Sequence, residues 1–246
     1  MLPLLSLASI LTTAGSLLTS HVGLAGYTPG STGYDISYPQ CGSTYPTGAF
    51  GVVGVNGGYP FVHYNPCLAD EYAHSTHAAL YINTGYDPLY TQVDGRHTTP
   101  DCLAHSAPIH GAAEQQVAWA VGCSEASRSM AYAVSQGVAS PRGWWLDVET
   151  ENSWSSTDLS LNQYTIQGIV DTLHRHSAAP IGIYSTGSQW RTITGGLPVR
   201  GVRADWVATG SFSAREARAR CGSGFSGVPV WFVQYLHGGF DANYVC

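Results

Sequence analysis

Trp144-Trp145-Leu146-Asp147-Val148-Glu149 is the stretch of this 246-residue chain that says most about its fold. Side chains alternate along a strand, so Trp145, Asp147 and Glu149 share one face while Trp144, Leu146 and Val148 share the other. A run that is apolar on both faces and turns acidic at its tip suits a buried parallel strand whose carboxyl end opens onto a site. Similar short runs recur at Gly33–Ser37, Phe50–Val55, Ala78–Asn83, Ile181–Ser185, Asp205–Ala208 and Val230–Tyr235. Helical patterns lie between them at Leu68–Ser75, Ala112–Gln136, Leu159–His176 and Ala214–Arg220. The third helix follows the capping run Ser155-Ser156-Thr157-Asp158 and places Leu159, Ile166, Ile169, Val170 and Leu173 largely on one side. Strands alternating with helices predict an α/β fold, either a βα barrel or a doubly wound sheet. No repeat or linker divides it, so one domain is expected. Thr84–His110, rich in Pro, Gly, His and Thr, reads as a long loop clipped by Cys102.

Composition narrows the function. Hydrophobic residues make up 44% and charged residues 11%, which excludes a disordered chain, a coiled coil and a collagen-like fibre. Sixteen acids face ten cations, for a formal charge of −6, so there is little to cluster into a nucleic-acid groove. All ten cations are arginine. Without lysine, a P-loop, a kinase site, a Schiff base and a pyridoxal enzyme are excluded.

Residues 1–25 carry no charge and are mostly apolar from Leu2 to Leu18. Val22-Gly23-Leu24-Ala25 sets small residues at −3 and −1 of a cut after Ala25. The segment reads as a secretory signal peptide, with a membrane anchor as the alternative, and the folded domain is expected over 26–246. Six cysteines follow: Cys41, Cys67, Cys102, Cys123, Cys221 and Cys246. An even count behind a signal peptide implies disulfides and an oxidising destination, and the absence of any Cys-x-x-Cys argues against metal binding. Six cysteines permit fifteen pairings; sequential pairing would close three compact loops.

Asp147 and Glu149 stand about 6.6 Å apart at Cα on one strand face, beside Trp145. Two neighbouring buried carboxyls raise each other's pKa, so they are costly unless used, and barrel enzymes place catalytic groups at this strand end. An exposed acidic tip is the alternative. Asp35, late in the first strand, and Asp241, after the last one, would join them in a closed barrel, unless both merely cap turns.

The ordered motifs Gly33-Tyr34-Asp35-Ile36-Ser37, Leu146-Asp147-Val148-Glu149, Gly182-Ile183-Tyr184-Ser185, Trp206-Val207-Ala208, Gln234-Tyr235 and Asp241-Ala242-Asn243 resemble glycoside hydrolase family 25, the muramidase-type lysozymes. Secreted glycoside-hydrolase-like domains of unknown function look similar. The resemblance runs from Gly33 to Cys246 through short motifs. It implies a single irregular TIM-like βα barrel, stabilised here by disulfides. By it, Glu149 corresponds to the general acid and Asp147 to the carboxylate assisting the reacting centre, with Asp35 and Asp241 completing the acidic floor. Tyr184, Gln234 and Tyr235 correspond to the sugar groove, with Trp145 beside the acids. The chain departs from that pattern at Ala79–Gly85 and in the cysteine-clipped insertion that follows, so the groove wall differs.

Other motifs fail on context. Gly222-Ser223-Gly224-Phe225-Ser226-Gly227 matches the dinucleotide fingerprint by letter, but it follows a helix and precedes a strand, the reverse of what that site needs. His63, His74, His77, His97, His105 and His110 lie near one another without a His-Glu-x-x-His, and no Gly-x-Ser-x-Gly elbow exists. Trp154 and Trp190 lie just beyond strand ends, where an indole either stacks on sugar or packs in the core. The expectation is a secreted, monomeric glycosidase acting on a polysaccharide, in a bacterial cell wall, with no cofactor, metal or nucleic acid and no membrane contact after signal removal. A non-catalytic carbohydrate-binding barrel and a metal-dependent phosphodiesterase are the rivals.

Overall fold

The computed structural model describes residues 26–61, 63–86 and 98–246. The expected signal peptide therefore lies outside the described residues. Eight strands close a barrel in chain order: β1 (Thr32–Ile36), β2 (Gly51–Gly54), β3 (Ala79–Asn83), β4 (Trp144–Asp147), β5 (Ile181–Ser185), β6 (Ala204–Ser211), β7 (Val230–His237) and β8 (Phe240–Val245). Strands β1 to β7 pair in parallel, and β8 runs antiparallel to both β7 and β1. The barrel, not the doubly wound sheet, is the α/β fold adopted.

Seven of these strands match the sequence reading and β8 does not, because Asp241 was expected to follow the last strand. The cause is local. His237 pairs with Phe240 across Gly238-Gly239, whose φ angles of 63° and 83° are easy for glycine alone. Such a two-residue turn leaves no room for a crossover helix, so the next strand returns antiparallel.

Alternation sorts the strand residues into two cores. Facing outward, Val53, Leu80, Ile82, Leu146, Val148 and Ile183 pack beneath the helices. Facing inward, Val52, Ala79, Trp145, Ala204, Trp206 and Phe232 fill the barrel. Trp145 stands 4.9 Å from Phe232 and 5.6 Å from Trp206 between ring centroids. Tyr27, ahead of β1, packs edge-on against Phe50 and Phe232. Each such buried ring contributes about 1.5–3 kcal/mol. Gly182 makes room for this packing, since a Cβ there would overlap the indole of Trp145.

Outside the barrel lie α1 (Leu68–His74), α2 (Pro100–Ser106), α3 (Ala113–Ser135), α4 (Leu159–His176), α5 (Gly187–Thr194) and α6 (Ala214–Arg218). Helix α4 begins where its capping run predicts, with Asp158 accepting from the backbone N–H of Ser160. The expected loop at Thr84–His110 instead contains α2. Pro100 opens that helix, and the Thr99 hydroxyl accepts from the backbone N–H of Cys102. Helix α5 was also unexpected, although Thr186 and Gln189 cap it reciprocally. Disulfides join Cys41–Cys67, Cys102–Cys123 and Cys221–Cys246. Sequential pairing is thus the one adopted; each loop is worth roughly 3 kcal/mol in the chain-entropy model. Gly182→Ala is expected to destabilise the fold by about 1–3 kcal/mol through overpacking. Thermal denaturation would read this as a lower Tm, and an unchanged Tm would mean that the barrel core yields at Trp145.

Candidate active site

The four acids meet at the carboxyl end of the barrel. Asp147 ends β4, Glu149 follows it by two residues, and Asp35 pairs in register with Asp241 across the β1–β8 seam. Antiparallel β8 starts at this rim, which is how Asp241 comes to face Asp35. Tyr184 marks the centre. Burial first, and then the charges of Glu149, Asp35, Asp147 and Asp241, push its phenol well above its ordinary pKa.

One side of the well is the Asp147–Glu149 arm. Asp147 is 6% exposed, and its carboxylate accepts from the side-chain amides of Asn83 and Asn152. Its carbonyl accepts from Thr84 Oγ1 at 2.7 Å and from Asn152 Nδ2 at 3.1 Å, which fixes the chain where it leaves the sheet. The carbonyl of Glu149 accepts from Trp154 Nε1 at 2.7 Å. The carboxyl groups face each other, with Asp147 in its acid form donating to Glu149. Burial, followed by the neighbouring Glu149 charge, holds Asp147 well above the usual carboxylate range. Glu149 is half-buried and is also raised, chiefly by burial and the charge of Glu151, against donation from Gln189 and Asp147. One proton between two carboxyls belongs to the pair.

The other side is built round Asp35. Gln234 Nε2 donates to both of its oxygens at 3.2 Å, and Asn243 Nδ2 donates to Oδ2 at 2.7 Å. Tyr184 Oη donates to Gln234 Oε1 at 2.8 Å, and Trp206 Nε1 donates to Asn243 Oδ1 at 2.7 Å. These amides favour the ionised form, but burial and the Asp241 charge outweigh them and push Asp35 up to about 8. Asp241, at the exposed rim, is raised by partial burial.

Two residues expected at the groove lie elsewhere. Tyr235 is 5% exposed and packs with Val207, Val233 and Ala242 on the outer side of β7, because it alternates with Gln234. Trp145 does share the inward face with Asp147, but it lies below the acids among the interior rings. It supports the well from beneath and has no surface for a sugar. Trp190 is fully buried against Phe225. Sequence reading missed Asn83, Asn152 and Asn243, the amides that hold the acids. Strand alternation offers a signal for two of them, since Asn83 shares a face with Tyr81, and Asn243 with Asp241. It also missed Tyr38, Tyr59 and Phe212, which follow β1, β2 and β6 and expose 44, 52 and 74% of their surface. Among the described residues, no three His, Cys, Asp or Glu side chains are grouped to hold a metal ion.

A scan against protein-family models and a search of curated proteins find no match. Solved structures share the fold. The muramidase from Trichobolus zukalii superposes with a TM-score of 0.52 at 14% identity, covering 87% of this chain and 93% of its own. The bacterial lysozyme from Streptomyces coelicolor gives 0.53 at 16%, covering 89% and 93%. The family GH25 lysozyme from Aspergillus fumigatus gives 0.53 at 13%, covering 88% and 93%. The chain has the barrel of GH25-type muramidases.

Asp35 carries a consequence for stability. A carboxyl raised on folding keeps a proton that the unfolded chain gives up near pH 4, so stability is full below that point and falls as pH rises toward about 8. Asp35→Asn cannot lose that proton. Its Tm should therefore gain on the wild type steadily between pH 4 and 8; parallel Tm curves would show that Asp35 titrates normally.

Proposed function

We propose that this protein is a secreted glycoside hydrolase that cleaves a polysaccharide glycosidic bond in a bacterial cell-wall glycan. The observation that carries the reading is the hydrogen-bonded Asp147–Glu149 pair, raised in pKa at the carboxyl end of a barrel with a lysozyme fold. Exposed Tyr38, Tyr59 and Phe212 stand on the strand ends of the same rim and offer faces for a sugar to stack on. Three disulfides suit an oxidising compartment, and no described helix is long and apolar enough to cross a membrane.

Glu149 is the proton donor in this reading. It is the more open of the two carboxyls, and its extra methylene gives it reach toward a glycosidic oxygen. Burial and the charges of Glu151 and Asp241 favour its acid form at a pH where a free carboxylate would be ionised, while Asp147, deeper and fixed by two amides, is held protonated beside it. Two carboxyls in contact are closer than the roughly 5–5.5 Å of a retaining pair or 6.5–9.5 Å of an inverting pair. Asp147 and Glu149 therefore do not flank the sugar ring. The opposite-face role falls to Asp241, which is exposed and close enough for its charge to raise Glu149, or to a neighbouring group of the substrate.

The test is release of reducing ends from purified cell-wall polymers. Glu149→Gln should lower kcat by about 10²–10⁴-fold, the range for a lost general acid, with folding and glycan binding retained. Wild-type kcat should fall as pH rises through the raised pKa of the pair, since only the protonated donor turns over. Near-normal turnover by the variant contradicts the assignment. Binding without product release by the wild type would leave a carbohydrate-binding barrel.

A further inference from the structure

Glu125 is a buried acid that the mechanism above does not use. It lies in the middle of α3, 2% exposed, on the surface that carries the loop between β2 and α1. An apolar residue would pack there without the cost of desolvating a carboxyl. What the carboxyl adds is acceptor capacity. Its Oε1 takes a hydrogen bond from Asn56 Nδ2 at 3.2 Å, and the backbone N–H of Phe61 donates to the same group.

Both donors lead to the acids. Asn56 is 1% exposed, and its Oδ1 accepts the backbone N–H of Asn83 at 3.0 Å. Asn83 in turn donates its side-chain amide to Asp147 Oδ2. Phe61 sits at φ 63°, a left-handed conformation uncommon for a side chain with a Cβ, and it is held there while 6% exposed. It belongs to a small cluster with Tyr86, Ala118 and Val121, against which Trp154 packs. Trp154 donates to the carbonyl of Glu149. One buried carboxyl thus anchors two chains of contact, one ending on the carboxyl of Asp147 and the other on the backbone carbonyl of Glu149. The charged and titratable groups facing it are Arg128, one turn along α3, and Tyr64 of the same loop.

We propose that Glu125 is a positioning residue for the Asp147–Glu149 pair, acting through Asn56 and Asn83 on one and through Phe61 and Trp154 on the other. Burial pushes Glu125 up to about 8, which keeps it uncharged on the acidic side, where the pair would work. Its kinetic consequence rests on the glycosidase reading; its structural consequence does not.

The experiment compares Glu125→Met, which removes both acceptor oxygens at similar volume, with Glu125→Gln, which keeps one. Amide hydrogen exchange reads the structural link. In Glu125→Met the Asn83 amide should exchange about tenfold faster, while Leu80, whose N–H is held by the Gly143 carbonyl at 3.0 Å, stays protected. On a glycan that the wild type cleaves, kcat should fall by about 10- to 100-fold with KM nearly unchanged, as expected when reacting groups are misplaced by about 1 Å. Glu125→Gln keeps the Oε1 acceptor that takes the Asn56 bond and should stay near wild type in both, a rescue that a general loss of stability would not produce. Wild-type exchange at Asn83 in folded Glu125→Met, or a kcat loss that Gln does not relieve, overturns the inference. If Glu125→Met does not fold, Glu125→Asp, which withdraws the acceptor from Asn56 by one methylene, takes its place with the same expected gain in Asn83 exchange. If the wild type releases no product, the hydrolase reading fails, and Asn83 exchange still decides the role of Glu125.

Discussion

The contact between the buried carboxyl of Asp147 and that of Glu149 is the interaction on which the rest of this structure turns. Carboxyls in water lose their protons near pH 4, and two of them in contact repel once both are ionised. Here the barrel beneath is filled with Trp145, Trp206 and Phe232, which solvate no charge. The polar groups that do reach Asp147 are amides, Asn83 and Asn152, whose donation offsets part of the burial cost without supplying a counter-charge. No arginine charge offsets the burial of either member of the pair. A well with aromatic walls, four acids and amide donors retains protons, and retained protons are what a general acid needs.

Closure of the barrel brings the second half of the well into place. In a parallel eighth strand Asp241, its second residue, would lie at the amino end of the barrel, away from Asp35. The Gly238-Gly239 turn instead reverses the chain at the rim, so that Asp241 enters opposite Asp35 at once. The same strand then supplies Asn243 to Asp35 and Trp206. Gln234, the remaining donor to Asp35, is tied by Tyr184. This side of the well is therefore a closed set of hydrogen bonds, whereas Glu149 and Asp241 keep surface toward solvent. That asymmetry separates residues that hold the site from residues free to meet a substrate.

Much of this is readable from residues alone, and for physical reasons. Trp144–Glu149 shows its strand because its alternation is strong and its tip is acidic. The four acids are legible because Asp and Glu at strand ends are unusual in a chain with so few charges. The helix over Leu159–His176 announces itself through its cap. Strand β8 is hidden because Asp241, Asn243 and Tyr244 interrupt the apolar pattern, although Gly238-Gly239 is a hairpin signal. Tyr235 faces away from the groove because a strand sends neighbours to opposite faces, so its adjacency to Gln234 in sequence is not adjacency in space. Asn152 and Glu125 stay silent for a different reason: Asn152 lies in a loop without alternation, and the Asn56 partner of Glu125 is 69 residues away, so nothing in the local chain marks either contact.

The measurement that tests the account most directly is a carbon-13 NMR titration of the carboxyl groups of Asp147 and Glu149. It needs no substrate. The two should titrate as a linked pair, each responding to the other's ionisation, with both midpoints above the ordinary carboxylate value of about 4. Two independent midpoints near that value would mean that the well does not retain its proton, and Glu149 would then have no basis as the acid of this site.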